Sequence, residues 1–212
     1  MQVTDVPAVS AIEKLSFTTA WPASAYKREI ERNDMGFYAV ALRTEAAGPP
    51  RREGCFQTVE PEPLDSGMLA RLTKRLRGVP PRFEIDTAEE LERIVGYAGL
   101  WLMVDSGHIT TIAVDPPYRG EGVGELLLLA LVERAMQLDA VEVTLEVRVS
   151  NYVAQALYRK YMFRNSGLRK RYYSDDGEDA LIMTTETLRS PVFRLMMMEN
   201  RRLLTKKMEA DG

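Results

Sequence analysis

The chain has 212 residues, a length that fits one domain with additional segments. Its net charge of −3 argues against a protein whose main task is to coat nucleic acid, and its single cysteine and single histidine exclude an intramolecular disulfide and a Cys/His zinc cluster. The longest apolar run, Leu126–Val132, is far shorter than the roughly 20 residues of a membrane span, and residues 1–5 carry no basic and apolar leader. We therefore expect a soluble, cytoplasmic protein without a signal peptide.

The first 42 residues predict two short helices and a strand. Apolar residues at helical spacing from Val9 predict the first helix, which Trp21-Pro22 ends because the residue before proline avoids helical geometry. Residues 26–32 predict the second helix, and residues 36–42 predict a buried strand.

Residues 43–96 differ in composition and are interpreted as a partly ordered insertion. Six of the 11 prolines lie between Pro49 and Pro81, which disfavours continuous regular structure. Two short helices are still predicted, one over an apolar stripe and one opened by a capping box at Thr87 that runs through Ile94. The basic residues around the stripe are Arg71, Lys74, Arg75 and Arg77.

Residues 97–187 carry the densest pattern, an alternation of strands and helices. The predicted strands are 97–104, 107–114, 141–149, 163–173 and 180–185, and the predicted helices are 122–138 and 151–161. This order predicts an α/β fold around a sheet with mixed pairing.

The tail, residues 188–212, predicts a C-terminal helix that begins at Ser190-Pro191. It is expected to pack on its own domain or on a second copy of the chain, while a binding role for its methionines is the alternative. The apolar face is predicted to contain Val192, Leu195, Met196, Leu203 and Met208.

The strongest local motif is the turn that follows a strand ending at Val114. Three alternating glycines, Gly120, Gly122 and Gly124, precede an apolar helix. Backbone N–H groups at a helix start favour an anion, and glycine lets a phosphate approach the backbone closely. Arg119 adds charge and directional donors. The spacing fits neither a P-loop nor a dinucleotide fingerprint, and a purely structural turn is the alternative.

This turn resembles the acetyl-coenzyme A signature of the GCN5-related N-acetyltransferases (GNAT). Four further segments resemble, in order, those of the RimI-type N-terminal acetyltransferases. They are residues 107–114, 145–152, 156–158 and 172–180. The close resemblance covers residues 97–187, and residues 3–42 match loosely. It implies a GNAT fold, in which a mixed, mostly antiparallel sheet is splayed between strands 4 and 5 and flanked by helices, with acetyl-coenzyme A as co-substrate and no metal.

The resemblance also implies how the coenzyme is held. The pantetheine arm would pair with the backbone of Ile112 and Val114 in the gap between the splayed strands, and the Val114 N–H would polarise the thioester carbonyl. The turn would hold the diphosphate. The implied coenzyme-binding residues are Ile112, Ala113, Val114, Arg119, Gly120, Glu121, Gly122, Val123, Gly124, Asn151 and Tyr158.

Three residues are implied to take part in proton transfer. Strand periodicity alone makes Glu146 a solvent-facing glutamate, but the resemblance implies that it is the general base, which need only accept a proton from an amine of pKa near 8. Tyr158 is otherwise a core tyrosine and is implied to protonate the leaving thiolate. His108, otherwise a structural histidine, is implied as a second base acting through water. Asn151 has a helix N-cap as its alternative role.

The implied substrate groove is lined by Trp21, Tyr26, Tyr172 and Tyr173. The sequence thus predicts a protein N-terminal acetyltransferase that acts, in a ternary complex, on a protein such as a ribosomal protein. A lysine or small-amine acetyltransferase and a non-catalytic acyl-coenzyme A scaffold are the alternatives. For the basic stripe, the alternative is a docking role on a ribosome or a tRNA-modifying partner.

We expect no membrane or nucleic-acid partner and a monomer or homodimer. The expected domain spans residues 1–187, with the helical extension at 188–212. Two departures from the family stand out: helical signals begin near Asp5, where a first strand is usual, and Met162 replaces a common glycine.

Overall fold

The computed structural model describes residues 1–45 and 91–211. The chain divides into two compact units, residues 1–43 with 92–212 and residues 44–91, and nearly all described residues belong to the first. The helices described are α1 (Val6–Ser16), α2 (Ala23–Arg32), α3 (Val123–Gln137), α4 (Tyr152–Lys160) and α5 (Pro191–Asp211). The strands described are β1 (Gly36–Glu45), β2 (Leu91–Met103), β3 (Ser106–Val114), β4 (Glu142–Arg148), β5 (Phe163–Arg169) and β6 (Ala180–Thr185).

The six strands form one open sheet in the order β1-β2-β3-β4-β6-β5. The β2–β3, β4–β6 and β5–β6 pairs are antiparallel, whereas β3 and β4 are parallel. This arrangement confirms the predicted α/β fold with a mixed, mostly antiparallel sheet.

The parallel pair separates halfway along its length. Pairing runs from Ser106 with Glu142 to Ile109 with Leu145, and these two strands, both described in full, share no register beyond that point. The remaining halves of β3 and β4 pair only with their outer neighbours, so each turns a free hydrogen-bonding edge towards the gap. The predicted splay between family strands 4 and 5 is therefore confirmed as the gap between β3 and β4.

The main core lies between the sheet, α3 and α5. Leu128 and Leu131 of α3 are fully buried, with Val143 and Leu145 of β4 in the same cluster. A fully buried leucine contributes about 1.5–3 kcal/mol through the removal of apolar surface from water. One side of α3 contacts the sheet and another side contacts α5. Most of the surface of α3 is therefore apolar.

The start of the chain agrees with the early helical signal. Val3–Asp5 form a 3-10 turn that leads directly into α1. Val9 and Ile12 of α1 pack in a second buried cluster with Tyr97 of β2. None of the helices in residues 1–45 and 91–211 combines the length and apolar composition that crossing a bilayer requires.

Two predicted boundaries are wrong. The helix expected to run through Ile94 cannot reach that residue, because β2 begins at Leu91. The β-branched residues Ile94 and Val95 favour a strand at this point. The strand expected to reach Tyr173 ends at Arg169. The basic stripe and the capping box itself lie outside the described residues.

The predicted helix at the C-terminus is confirmed, but its predicted apolar face is wrong in part. Val192, Leu195 and Leu203 are exposed. The buried face instead contains Phe193, Met197 and Leu204, with Met196 and Met208 partly buried. Met197 and Leu204 lie four and eleven residues after Phe193, a spacing that places all three on one face of the helix. The expectation that α5 packs on its own domain is confirmed.

One turn carries backbone strain that a substitution should relieve. Val104 lies between β2 and β3 with φ of 58°, and its side chain is 95% exposed. A β-branched residue in this left-handed region costs about 1–2 kcal/mol, and the side chain offers little packing in return. We expect Val104→Gly to raise the free energy of unfolding by about 1 kcal/mol in urea titrations. Val104→Ala, which keeps a Cβ, should recover less, and an unchanged or lower stability in Val104→Gly would contradict this account of the turn.

Candidate active site

The gap between β3 and β4 opens into a cleft of about 540 Å³. Its walls come from the α1–α2 connection, the second half of β3, the end of β4, the start of α4 and the loop that follows β5. Because both strands present free backbone groups here, an extended group can pair with either edge as an added strand would.

Glu146 and His108 meet inside this cleft. Glu146 Oε2 lies 3.2 Å from His108 Nε2, and the His108 Nδ1 lies 2.9 Å from Thr144 Oγ1. The Glu146 side chain is only 7% exposed, so its alternative interpretation as a solvent-facing glutamate is wrong. The two residues lie on adjacent parallel strands where pairing stops, and this is why they converge.

Arg169 is a third member of this group that the sequence did not indicate. Its Nη2 lies 3.0 Å from Glu146 Oε1, and its guanidinium lies 5.5 Å from the ring centre of Tyr172. Glu146 is therefore held at both carboxylate oxygens, by a ring nitrogen on one side and a guanidinium on the other. Arg169 is at the end of β5, two strands away from β4, so only the sheet order brings it close.

Asn151 and Tyr158 also line the cleft, at the start and near the end of α4. Asn151 Oδ1 accepts a hydrogen bond from the backbone N–H of Ala154 at 3.1 Å, which confirms the N-cap role and leaves the residue on the cleft wall. The Tyr158 ring packs 5.8 Å from that of Phe163. Burial raises the pKa of the Tyr158 phenol, so its hydroxyl keeps its proton and can donate it in a hydrogen bond.

The loop after β5 is fastened to β4 by Arg148. Its guanidinium lies 2.7 Å from Asp175, 2.9 Å from Asp176 and 3.0 Å from Glu178. The same group stacks 3.8 Å from the ring centre of Tyr173. This arginine, helped by Thr18, lowers the pKa of Asp175 to about 2. Asp175, which lines the cleft, is thereby fixed in its wall.

The four predicted groove residues all line the cleft, but in two different ways. Trp21 and Tyr172 are partly exposed, whereas Tyr26 is fully buried. The Tyr26 hydroxyl donates to Glu13 Oε2 at 2.8 Å, and the Trp21 backbone N–H donates to Glu13 Oε1 at 3.0 Å. Tyr26 therefore supports the Trp21 wall from behind. Burial raises the pKa of Glu13, a residue that the sequence did not single out.

Tyr173 completes the aromatic wall. Its ring meets that of Tyr172 edge-on, with centres 5.2 Å apart. Burial raises the pKa of Tyr173 to about 12, so its phenol stays uncharged at neutral pH.

The glycine turn lies beyond the end of β3 and does not line this cleft. Gly120 and Gly122 have φ of 86° and 94°, a region that favours glycine, and a Cβ on Gly120 would meet nothing within 4 Å. Gly122 is the N-cap of α3, and no side chain of the described residues caps that helix. The first backbone N–H groups of α3 are thus available to an anion.

The other predicted coenzyme-binding residues do not all line the cleft. Ile112 lines the cleft, whereas the Ala113 side chain is buried in the second cluster on the other face of the sheet. Arg119 Nε donates to the Val114 carbonyl at 3.1 Å, so its side chain turns back onto the strand end. Glu121 forms an ion pair with Arg43. Within the described residues, no cluster of His, Cys, Asp or Glu side chains is arranged to hold a metal ion.

An open sheet with one splayed parallel pair and a glycine turn at the strand end defines a class of α/β acyltransferases, and comparison with known proteins gives the family. Residues 53–163 match the model of the acetyltransferase (GNAT) family, a range that begins inside the segment expected to be an insertion. The chain belongs to this family and is an N-acetyltransferase.

Relatives with assigned names agree with this membership. A Bacillus subtilis protein provisionally named a ribosomal protein bS18-alanine N-acetyltransferase is 33% identical over 183 residues, which cover 86% of this chain and 90% of that protein. A Sulfolobus acidocaldarius N-alpha-acetyltransferase is 51% identical over 83 residues, 38% of this chain and 48% of that protein. The crystal structure of the Escherichia coli ribosomal-protein-S18-alanine N-acetyltransferase shares the fold, with a TM-score of 0.58 at 22% identity over 87% of this chain and 89% of that one.

Proposed function

We propose that this enzyme is a protein N-terminal acetyltransferase, which transfers the acetyl group of acetyl-coenzyme A to the α-amine of a protein such as a ribosomal protein. The observation that carries the proposal is the contact between Glu146 and His108 at the point where β3 and β4 separate. The names of the B. subtilis and S. acidocaldarius relatives support an α-amine as the acceptor.

The coenzyme fits the residues at the strand end. The free β3 edge at Ile112 and Val114 would pair with the pantetheine arm, and the N–H groups from Arg119 through Gly124 would hold the diphosphate. The open space over Gly120 and the uncapped start of α3 support this placement. When bound, the coenzyme supplies the acetyl thioester.

Two protein side chains then assist the reaction, one by accepting a proton and the other by donating a hydrogen bond. Glu146, with His108 beside it, accepts the proton that the attacking amine loses, directly or through a water. Tyr158 keeps its proton because of burial and donates a hydrogen bond where the thiolate leaves. The amine attacks the thioester directly in a ternary complex, so no acyl-enzyme is formed. Cys55, the single cysteine, lies outside the described residues.

The aromatic and acidic walls favour an extended N-terminus. Trp21, Tyr172 and Tyr173 all line the cleft, and Arg148 stacks on Tyr173 and so fixes the loop that carries the two tyrosines. A chain end can enter such a groove with its amine foremost, whereas an internal lysine brings its own backbone on both sides. The proposed substrate is a protein such as a ribosomal protein, which implies a cytoplasmic site of action. For the organisation of the chain, we propose what the sequence predicts. One acetyltransferase domain lies within residues 1–187, with an added segment before β2, and α5 is a C-terminal extension.

Two matched peptides test the acceptor. One carries a free α-amine on alanine, serine or methionine and no lysine, and the other is α-acetylated and carries one internal lysine. With acetyl-coenzyme A, we expect free thiol to be released with the first peptide only. Release with the second peptide only would favour a lysine acetyltransferase, and tight coenzyme binding without turnover on any amine would favour a scaffold.

Loosening the loop after β5 should affect the peptide selectively. Arg148→Met leaves the carboxylates of Asp175, Asp176 and Glu178 facing each other without a cation, so we expect the wall to open. The peptide KM should rise by about tenfold, in line with the loss of charge-assisted hydrogen bonds, while the acetyl-coenzyme A KM stays unchanged. Arg148→Lys keeps the charge but not the forked geometry of the guanidinium. Its peptide KM should lie between those of the parent and of Arg148→Met. Equal changes in both KM values would contradict a role confined to the loop.

A further inference from the structure

The last turns of α5 contact the glycine turn. Lys207 Nζ donates a hydrogen bond to the Gly120 carbonyl at 3.1 Å. Leu204 is 3% exposed, and its Cδ1 lies 3.0 Å from the position that a Cβ on Gly122 would occupy. A helix outside the family resemblance thus touches two of the three glycines that precede α3.

This helix is anchored along its whole length, so the contact is not a loose end. Arg189 near its start donates to the Asp139 carbonyl at 2.9 Å, beyond the C-terminal end of α3. Arg201 forms an ion pair with Glu133 at 2.9 Å. From Arg189 through Arg201 to Lys207, the partners run back along the chain from Asp139 through Glu133 to Gly120. The helix α5 therefore runs antiparallel to α3, with its C-terminal turns at the N-terminal end of α3.

The Lys207 contact fixes the direction of one peptide group. In a trans peptide the carbonyl of one residue and the N–H of the next point in opposite directions. Because Lys207 holds the Gly120 carbonyl towards α5, the Glu121 N–H points away from α5. Glycine at φ of 86° otherwise leaves this peptide free to rotate, since it has no Cβ to restrict it.

We propose that α5 is part of the coenzyme site and that Lys207 is a positioning residue for the diphosphate turn. Its ammonium group sets the Glu121 N–H for the anion and adds positive charge beside the turn, while Leu204 holds Gly122 from behind. This inference rests on the proposed function, since it assumes that the turn binds the diphosphate of coenzyme A.

The test compares Lys207→Met with Lys206→Met, its exposed neighbour on the same helix. Methionine keeps the unbranched stem and removes the ammonium, so both variants should fold as the parent does. We expect Lys207→Met to weaken coenzyme A binding by about threefold to tenfold in calorimetry, as the loss of one hydrogen bond predicts, and to raise the acetyl-coenzyme A KM by the same factor without changing kcat. Lys206→Met should match the parent.

A donor without the diphosphate isolates the effect. With S-acetylpantetheine, Lys207→Met and the parent should have equal kcat/KM. In the free protein, amide hydrogen exchange of residues 119–124 should be faster in Lys207→Met. Unchanged coenzyme affinity and exchange, or an equal loss with S-acetylpantetheine, would overturn the inference. A parent protein that does not bind coenzyme A at all would instead overturn the proposed function.

Discussion

Replacing Glu146 by glutamine is expected to lower kcat by about 10²–10⁴-fold with an α-amine peptide, the usual contribution of a general base. Glutamine keeps the shape of the side chain and its place beside His108 but cannot take up a proton. Coenzyme A affinity should stay at the parent value, because the carboxylate lies in the cleft and not at the glycine turn. Single-turnover rates at saturating peptide and acetyl-coenzyme A measure this loss directly.

The matched control is Glu142→Gln, which changes a glutamate on the same face at the other end of β4. Glu142 lies where β3 and β4 are still paired and outside the cleft. The Glu142→Gln substitution should leave kcat within about twofold of the parental value, which is the scale of an ordinary surface substitution. A Glu146→Gln enzyme with more than half of the parental kcat would remove Glu146 from the chemistry. In that case His108→Gln, which removes the neighbouring base, becomes the decisive variant.

Replacing Tyr158 by phenylalanine is expected to lower kcat by about 10²-fold, the usual loss for one donor at a developing negative charge. Phenylalanine keeps the ring contact with Phe163 and removes only the hydroxyl. Because burial raises the pKa of this phenol, the parent should keep the hydroxyl protonated through pH 10, and the basic limb of its pH profile should not come from Tyr158. Rates from pH 6 to pH 10 measure both expectations.

Tyr161→Phe is the control for this prediction. Tyr161 is fully buried three residues further along the chain, and its hydroxyl donates to Glu125 at 2.8 Å, outside the cleft. Its loss should lower stability by about 1 kcal/mol and leave kcat nearly unchanged. If the two variants lose the same stability and the same activity, Tyr158 acts only as a packing residue.

The parts of this structure that could be predicted from the sequence are those with local signals. The alternation of strands and helices over residues 97–187 and the glycine turn both depend on residues that are close in the chain. The inward direction of Glu146 could not be predicted from periodicity, because Glu142 and Glu146 share one face of β4. Only the separation of β3 and β4 turns the end of that face into a cleft wall.

Other parts depend on contacts between distant segments. Arg169 reaches Glu146 because of the sheet order, and Glu13 meets Trp21 and Tyr26 through the packing of α1 on the connection before α2. The contact of Lys207 with Gly120 depends on the position of α5, whose buried face the apolar pattern predicted only in part. The strand from Leu91 shows the same limit, since residues up to Ile94 that local signals assign to a helix belong to a strand of the sheet.

A crystal structure with a bisubstrate conjugate, in which the acetyl group joins coenzyme A to the α-nitrogen of a short peptide, tests the central claim most directly. The α-nitrogen should lie within hydrogen-bond reach of Glu146, directly or through one water, with the sulfur beside the Tyr158 hydroxyl and the diphosphate on the N–H groups of residues 119–124. A conjugate whose nitrogen lies away from Glu146, or whose diphosphate binds elsewhere than the glycine turn, would contradict the account.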